Sequence, residues 1–301
     1  MRTQFTGVGT ALITPFTRSG ALDEAGIRRL ARRQIDAGVH FLVPCGTTGE
    51  TPTLSEAERR RVVELVVDEA AGKVPVLAGA GGYDTKEVAH AAREMHKAGA
   101  TGLLSVTPYY NKPTPEGLFQ HFTAVADATP LPIMLYNVPG RTGCNIDEAT
   151  CAKLATIPTV IGVKEASGNI QQMVEICKAV PVDFLVMSGD DAVTLPLMAV
   201  GGRGIISVAS NEIPGEMVQM VEAAERGDYG AARAVHMRIV PLMLGNFVES
   251  NPGPVKFAMA AMGLCEEVFR LPMVAPRPAS QRKILGILKE LGLPLAAGAR
   301  A

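Results

Sequence analysis

The amino-acid sequence predicts an α/β fold, a (β/α)8 barrel of the TIM type over residues 1–227, followed by a C-terminal helical region over residues 228–301. Three observations carry this reading. Eight short apolar runs rich in Val, Ile and Leu alternate with longer stretches of helical period, the pattern of βα units around a parallel sheet. The stretches between them carry helix start and stop signals. The length, 301 residues, suits one barrel of about 250 residues with an addition.

The runs span residues 8–14, 40–44, 74–78, 102–107, 133–137, 160–164, 184–188 and 204–207. Helix starts are marked by the capping boxes Ser55-Glu56-Ala57-Glu58 and Asp84-Thr85-Lys86-Glu87, and by Thr114 ahead of Pro115 at a first helical position. Stops recur as Ala37-Gly38, Ala98-Gly99 and Gly201-Gly202, where glycine can take the left-handed conformation that ends a helix. Past Ser207 the period is purely helical, through residues 215–226, 229–247, 254–262 and 280–291; the last three form the predicted extension, with the proline-rich residues 272–278 as an ordered crossover. A doubly wound sheet also alternates strands with helices and stays the structural alternative, but its dinucleotide fingerprint is missing.

Hydrophobic residues make up 47% and charged residues 20%, enough apolar material for a large core and too little charge for wholesale disorder. Lys plus Arg number 29 against 30 acidic residues, so no positive field exists to hold nucleic acid. The five cysteines are odd in number and lack C-x-x-C spacing, which reads as reduced thiols. No apolar segment suits a signal peptide or a membrane span, and the cytoplasm is the expected compartment. None of His40, His90, His96, His121 and His236 closes an apolar run, so no metal site is expected. Gly79-Ala80-Gly81-Gly82 stays a minor option for an anion nest.

Barrel active sites lie at the C-terminal ends of the strands, which selects the polar residues that close each run. Lys164 ends the run Val160-Ile161-Gly162-Val163, where its stem should be desolvated. Desolvation favours the free amine, the form that attacks a carbonyl. The bland alternative is a rim lysine paired with Glu165. Tyr136 closes the preceding run and could pass protons near that amine, or be an ordinary core tyrosine. Thr47 and Thr48 sit in Gly46-Thr47-Thr48-Gly49-Glu50, either a tight turn or a place where hydroxyls and N–H groups converge on a carboxylate. Arg141 offers a bidentate carboxylate clamp or is a solvated loop arginine. Thr14, Tyr109, Tyr110 and Gly189 also fall at run ends; Glu50 reads as a helix N-terminal charge, and Asp190 and Asp191 as caps of the next helix.

Five stretches together resemble a known group: Gly46-Thr47-Thr48-Gly49-Glu50, Thr107-Pro108-Tyr109-Tyr110-Asn111-Lys112-Pro113, Tyr136-Asn137-Val138-Pro139-Gly140-Arg141-Thr142-Gly143, Gly162-Val163-Lys164-Glu165-Ala166 and Asn251-Pro252-Gly253-Pro254-Val255-Lys256. Over nearly the whole chain the sequence resembles the pyruvate-dependent Schiff-base aldolases and lyases of the N-acetylneuraminate lyase superfamily, and most closely the dihydrodipicolinate synthase family. The resemblance implies a barrel with a helical C-terminal region, a homotetramer built as a dimer of tight dimers, and no metal or organic cofactor. It implies that Lys164 forms an imine with pyruvate and that Tyr136, Thr47 and Tyr110 relay protons, Tyr110 across the tight dimer. Thr48 would hold the pyruvate carboxylate and Ile206 add a backbone contact, with Gly189 in the same substrate-binding set. Arg141 would hold the carboxylate of L-aspartate 4-semialdehyde. The implied activity is a lyase that condenses these two substrates in the first committed step of lysine and diaminopimelate biosynthesis.

Two rivals stand beside it. One is the same imine chemistry on a 2-keto-3-deoxy sugar acid or 4-hydroxy-2-oxoglutarate, which the Tyr-Tyr-Asn-Lys-Pro run and Arg141 disfavour. The other is a catalytically silent sensor, which Lys164 and Tyr136 together disfavour. Gly253 and Gly140 depart from the common pattern without touching the chemistry. Relatives that L-lysine inhibits bind it at positions matching Thr51, Pro52, Glu56, Arg59, Tyr83, Glu87 and Tyr109; Glu56 and Tyr83 depart from that pattern, which implies weak or no inhibition.

Overall fold

The computed structural model describes residues 2–296. Eight strands, β1 (Gly7–Ala11), β2 (Phe41–Val43), β3 (Leu77–Gly79), β4 (Gly102–Val106), β5 (Ile133–Asn137), β6 (Val160–Glu165), β7 (Leu185–Ser188) and β8 (Gly204–Ser207), lie parallel in the order β2-β1-β8-β7-β6-β5-β4-β3. The two ends meet through a parallel bridge between Leu42 and Val76, where the Leu42 N–H donates to the Pro75 carbonyl at 3.0 Å. The sheet is thereby a barrel.

Two strands, β1 and β3, each lose three residues of their apolar runs. Pro75 lacks the N–H a central strand needs, and β3 begins only at Leu77. At the other run β1 ends at Ala11, and the Thr14 hydroxyl donates instead to the Gly49 carbonyl at 2.7 Å.

Successive strand residues face opposite sides. Phe41, Leu77, Leu104, Met134, Met187 and Ile206 fill the lumen, while Leu42, Leu103, Ile133, Val163, Val186 and Ile205 pack outward under the helices. Burial on both faces explains why the strands read as continuous apolar runs.

The helices are α1 (Glu24–Asp36), α2 (Glu56–Ala70), α3 (Thr85–Lys97), α4 (Pro115–Asp127), the single-turn α5 (Pro139–Thr142), α6 (Glu148–Leu154), α7 (Ile170–Ala179), α8 (Thr194–Ala199), α9 (Pro214–Glu225), α10 (Tyr229–Gly245), α11 (Gly253–Ala261) and α12 (Pro278–Glu290). Ser55 and Glu58 form the complete capping box of α2, whereas α3 is capped by Asp84 accepting from the Lys86 and Glu87 N–H groups. Gly38 and Gly99 follow α1 and α3 at φ 84° and 89°, as their stop signals require.

Beyond α9, α10 packs on α9 and α12, and α11 packs on α12. Val255 and Met259 of α11 join Ile13, Leu30 and Val208 in one apolar cluster, which seats the start of α11 over the C-terminal ends of β1 and β8. The expected C-terminal region is described as far as residue 296; residues 297–301 lie outside the described residues. Among the described residues no helix is long and apolar enough to cross a membrane.

Candidate active site

Lys164 lies in β6 directly beside Tyr136 of β5, its register partner. Its side chain turns into the barrel, the residue is only 5% exposed, and Nζ stands 4.2 Å from the centroid of the Tyr136 ring. The pairing with Glu165 does not form. Glu165 faces away, accepting from the Asn137 amide and the Ser167 N–H, both at 2.8 Å. Among the described residues no carboxylate pairs with Lys164. The lysine arm has room because residue 189 is glycine: a Cβ there would stand 3.0 Å from Lys164 Cε and 2.6 Å from Ala166 Cβ.

A cavity of about 440 Å³ opens above this pair, with Thr47, Tyr136 and Arg141 in its wall. Lys164 lies behind Tyr136 rather than in the wall itself. Ile206 sits lower in the lumen, opposite Gly9 of β1. Gly79 and Gly81 line the cavity for steric reasons, since a Cβ on Gly79 would overlap the Cys45 carbonyl and one on Gly81 would meet the Val106 N–H at 2.7 Å. The chain crosses closely there, and the glycines are explained by packing rather than by an anion nest. Among the described residues no three His, Cys, Asp or Glu side chains gather as a metal-binding group.

The loop after β2 takes the form of a tight turn, and it is Glu50 that departs from expectation. Thr47–Gly49 is a 3-10 turn, followed by Glu50 in the left-handed region at φ 53°. Glu50 is not a helix N-terminal charge: its buried carboxylate accepts from Lys256 Nζ at 2.5 Å and from the Arg270 N–H at 3.3 Å. Lys256, wholly buried in α11, also lies over the Phe16 ring at 4.1 Å. Burial holds its ammonium below the usual lysine range, against the pull of Glu50.

Thr48 is buried, and its Oγ1 accepts from Asn251 Nδ2 at 3.0 Å. The Asn251 carbonyl in turn accepts from Arg141 Nη2 at 3.2 Å. The Asn-Pro-Gly-Pro-Val-Lys motif does not by itself announce these roles of Asn251 and Lys256. The available signal was Lys256 itself, a charge within the apolar stretch Pro254-Val255-Lys256-Phe257-Ala258, since a buried ammonium requires a partner.

Only one of the two aspartates after β7 caps as expected. Asp190 accepts from the Ala192 N–H at 3.0 Å. Asp191 instead turns inward, accepting from the Ser207 hydroxyl at 2.5 Å and from the N–H groups of Val208 and Ala209. It pins the end of β8 beside Ile206, and burial raises its carboxyl above the usual range. Tyr110 is not brought to the cavity. It is 90% exposed, at φ 72°, and does not line the cavity.

A second cavity of about 300 Å³ shares Arg59 and Tyr109 with the first and is lined by Glu56, Tyr83 and Glu87. His90 Nε2 lies 2.8 Å from Glu56, and Tyr83 packs edge-on against Tyr109 at 5.3 Å.

A profile of the dihydrodipicolinate synthetase family matches residues 4–291. The chain belongs to that family. The 4-hydroxy-tetrahydrodipicolinate synthase of Koribacter versatilis is 51% identical over 288 residues, covering 95% of this chain and 96% of its own. Among solved structures, a monomeric variant of dihydrodipicolinate synthase superposes with a TM-score of 0.95 at 42% identity, over 97% of this chain and 98% of that one. Dihydrodipicolinate synthase from Acinetobacter baumannii complexed with pyruvate gives 0.94 at 37% identity, over 96% and 99%. The site described above, a buried lysine against a tyrosine below a cavity that an arginine borders, is thus set in a chain of the dihydrodipicolinate synthetase family.

Proposed function

We propose that this chain is a lyase that condenses pyruvate with L-aspartate 4-semialdehyde through an imine on Lys164, the first committed step of lysine and diaminopimelate biosynthesis. The observation that carries it is the Lys164 amine, paired with no carboxylate among the described residues and packed on Tyr136 beneath the cavity. The amine adds to C2 of pyruvate, and water leaves to give the imine. Loss of a C3 proton makes the enamine, and its C3 attacks the aldehyde carbon of the second substrate, whose oxygen takes up a proton. The amino group of that substrate then attacks C2, which closes the ring and releases Lys164. Tyr136 and Thr47 share the cavity wall and suit the proton transfers; Thr48 suits the pyruvate carboxylate, with Ile206 giving a backbone contact and Gly189 the space for the arm. Arg141, on the rim, suits the carboxylate of the semialdehyde. None of these steps calls on a metal or an organic cofactor. The deciding experiment is steady-state turnover with pyruvate and each aldehyde partner: a preference for a sugar-derived aldehyde or glyoxylate over aspartate semialdehyde would move the chain to the rival chemistry.

Tyr110 completes the relay from a neighbouring subunit, in a homotetramer assembled as a dimer of tight dimers. Its exposure and its φ of 72°, in a tyrosine that does not line its own cavity, support this reading. Mixing Lys164→Ala chains with Tyr110→Phe chains after partial unfolding should then restore part of the activity. Mixtures that never exceed the sum of the two variants would leave Tyr110 without a role in trans.

The second cavity carries a reading of its own. L-lysine has an ammonium that Glu87 suits, but Glu56 is paired with His90 and Tyr83 takes up space, leaving Arg59 as the cation at hand for its carboxylate. Weak or no inhibition is expected, and half-inhibition at sub-millimolar L-lysine in the same assay would overturn this. Five cysteines free of disulfides suit a reducing cytoplasm.

A further inference from the structure

Asn251 joins the two candidate carboxylate-binding residues, and its chemistry suggests more than a structural link. It is 4% exposed and lies just ahead of α11. Its Nδ2 donates to Thr48 Oγ1 at 3.0 Å, and its carbonyl accepts from Arg141 Nη2 at 3.2 Å. Its Oδ1 is buried without a partner. Among the described residues the Thr48 bond is thus the one hydrogen bond the Asn251 side chain makes, and leaving half of a buried amide unsatisfied is a cost that packing alone does not explain.

A threonine hydroxyl has one proton to give and lone pairs with which to accept. An amide N–H on an Oγ1 lone pair leaves that proton free to donate, and a carboxylate can only accept. We infer that Asn251 is a positioning residue for pyruvate: its amide sets the Thr48 hydroxyl, just behind the cavity wall beside Thr47, as a donor toward the substrate carboxylate, while its carbonyl holds Arg141 in that wall. The inference rests on the imine reading above. Asn251 is itself held, because Lys256, one turn into α11, is locked on Glu50 at the far end of the Thr47–Gly49 turn. Loss of the Asn251 side chain therefore frees the Thr48 hydroxyl without releasing the loop.

The test is borohydride trapping with two probes, pyruvate and acetone, the second lacking the carboxylate but able to form the same imine. For Asn251→Ala the pyruvate concentration giving half-maximal trapping should rise roughly tenfold, the usual worth of a hydrogen bond to a charged group, and the pyruvate KM should rise with it. Trapping by acetone should stay within about twofold, below the effect of one ordinary hydrogen bond. In a Thr48→Val background the substitution should add little, since the hydroxyl it acts through is gone. If Asn251→Ala does not fold, the isosteric Asn251→Asp carries the same comparison, with a larger loss for pyruvate because it cannot donate and adds a like charge. An unchanged pyruvate dependence, or equal losses with both probes, overturns the role of Asn251. Absence of any pyruvyl adduct on Lys164 in the unmodified protein overturns the imine reading itself, and this inference with it.

Discussion

Lys164→Ala should reduce turnover to background and abolish the pyruvyl adduct that borohydride fixes on the protein. In the proposed route the Lys164 amine supplies the imine nitrogen, and its loss removes the nucleophile itself. Tyr136→Phe should behave differently. It keeps the ring against which Lys164 packs at 4.2 Å and removes only the phenol, so the fold and the slow formation of the adduct should survive. Turnover should fall by about 10² to 10⁴, the usual worth of general acid–base catalysis. Peptide mass mapping after reduction checks both: label on another lysine would refute Lys164, and an unaltered rate for Tyr136→Phe would remove the phenol from the relay.

The barrel was legible because its strands are buried on both faces, which leaves short unbroken apolar runs, and because the helix signals are local. Ser55 and Glu58, three residues apart, announce α2 in the sequence and form its box in the structure. Lys164 and Tyr136 were legible by the same logic, as polar residues closing adjacent apolar runs in a fold that puts its chemistry at strand ends. What stayed hidden depends on distant partners. Glu50 and Lys256 are 206 residues apart, and no period relates them. Asp190 and Asp191 read alike because they are neighbours in sequence, yet alternation in a tight turn sends one to the helix and the other to Ser207. The exposure of Tyr110 was not written in its neighbourhood at all; only the family resemblance placed it between subunits.

The other large effect expected is on stability. Lys256→Met should lower the melting temperature by roughly 5–15 °C, since removing one partner of a buried ion pair costs about 3–5 kcal/mol by leaving the other charge unmatched. Both side chains are 0% exposed, so neither water nor salt screens the loss. Methionine replaces the volume of the lysine stem, and the cavity contribution is small; what remains is the Glu50 carboxylate, which among the described residues keeps the Arg270 N–H at 3.3 Å. Glu50→Gln in the same chain removes that charge while keeping an acceptor for Arg270. The double variant should therefore recover much of the lost stability, although each single change is harmful. Thermal unfolding of the four proteins gives the coupling directly. Additive losses would mean that the two side chains do not depend on each other, and that the Glu50–Lys256 pair does not anchor the Thr47–Gly49 turn to α11.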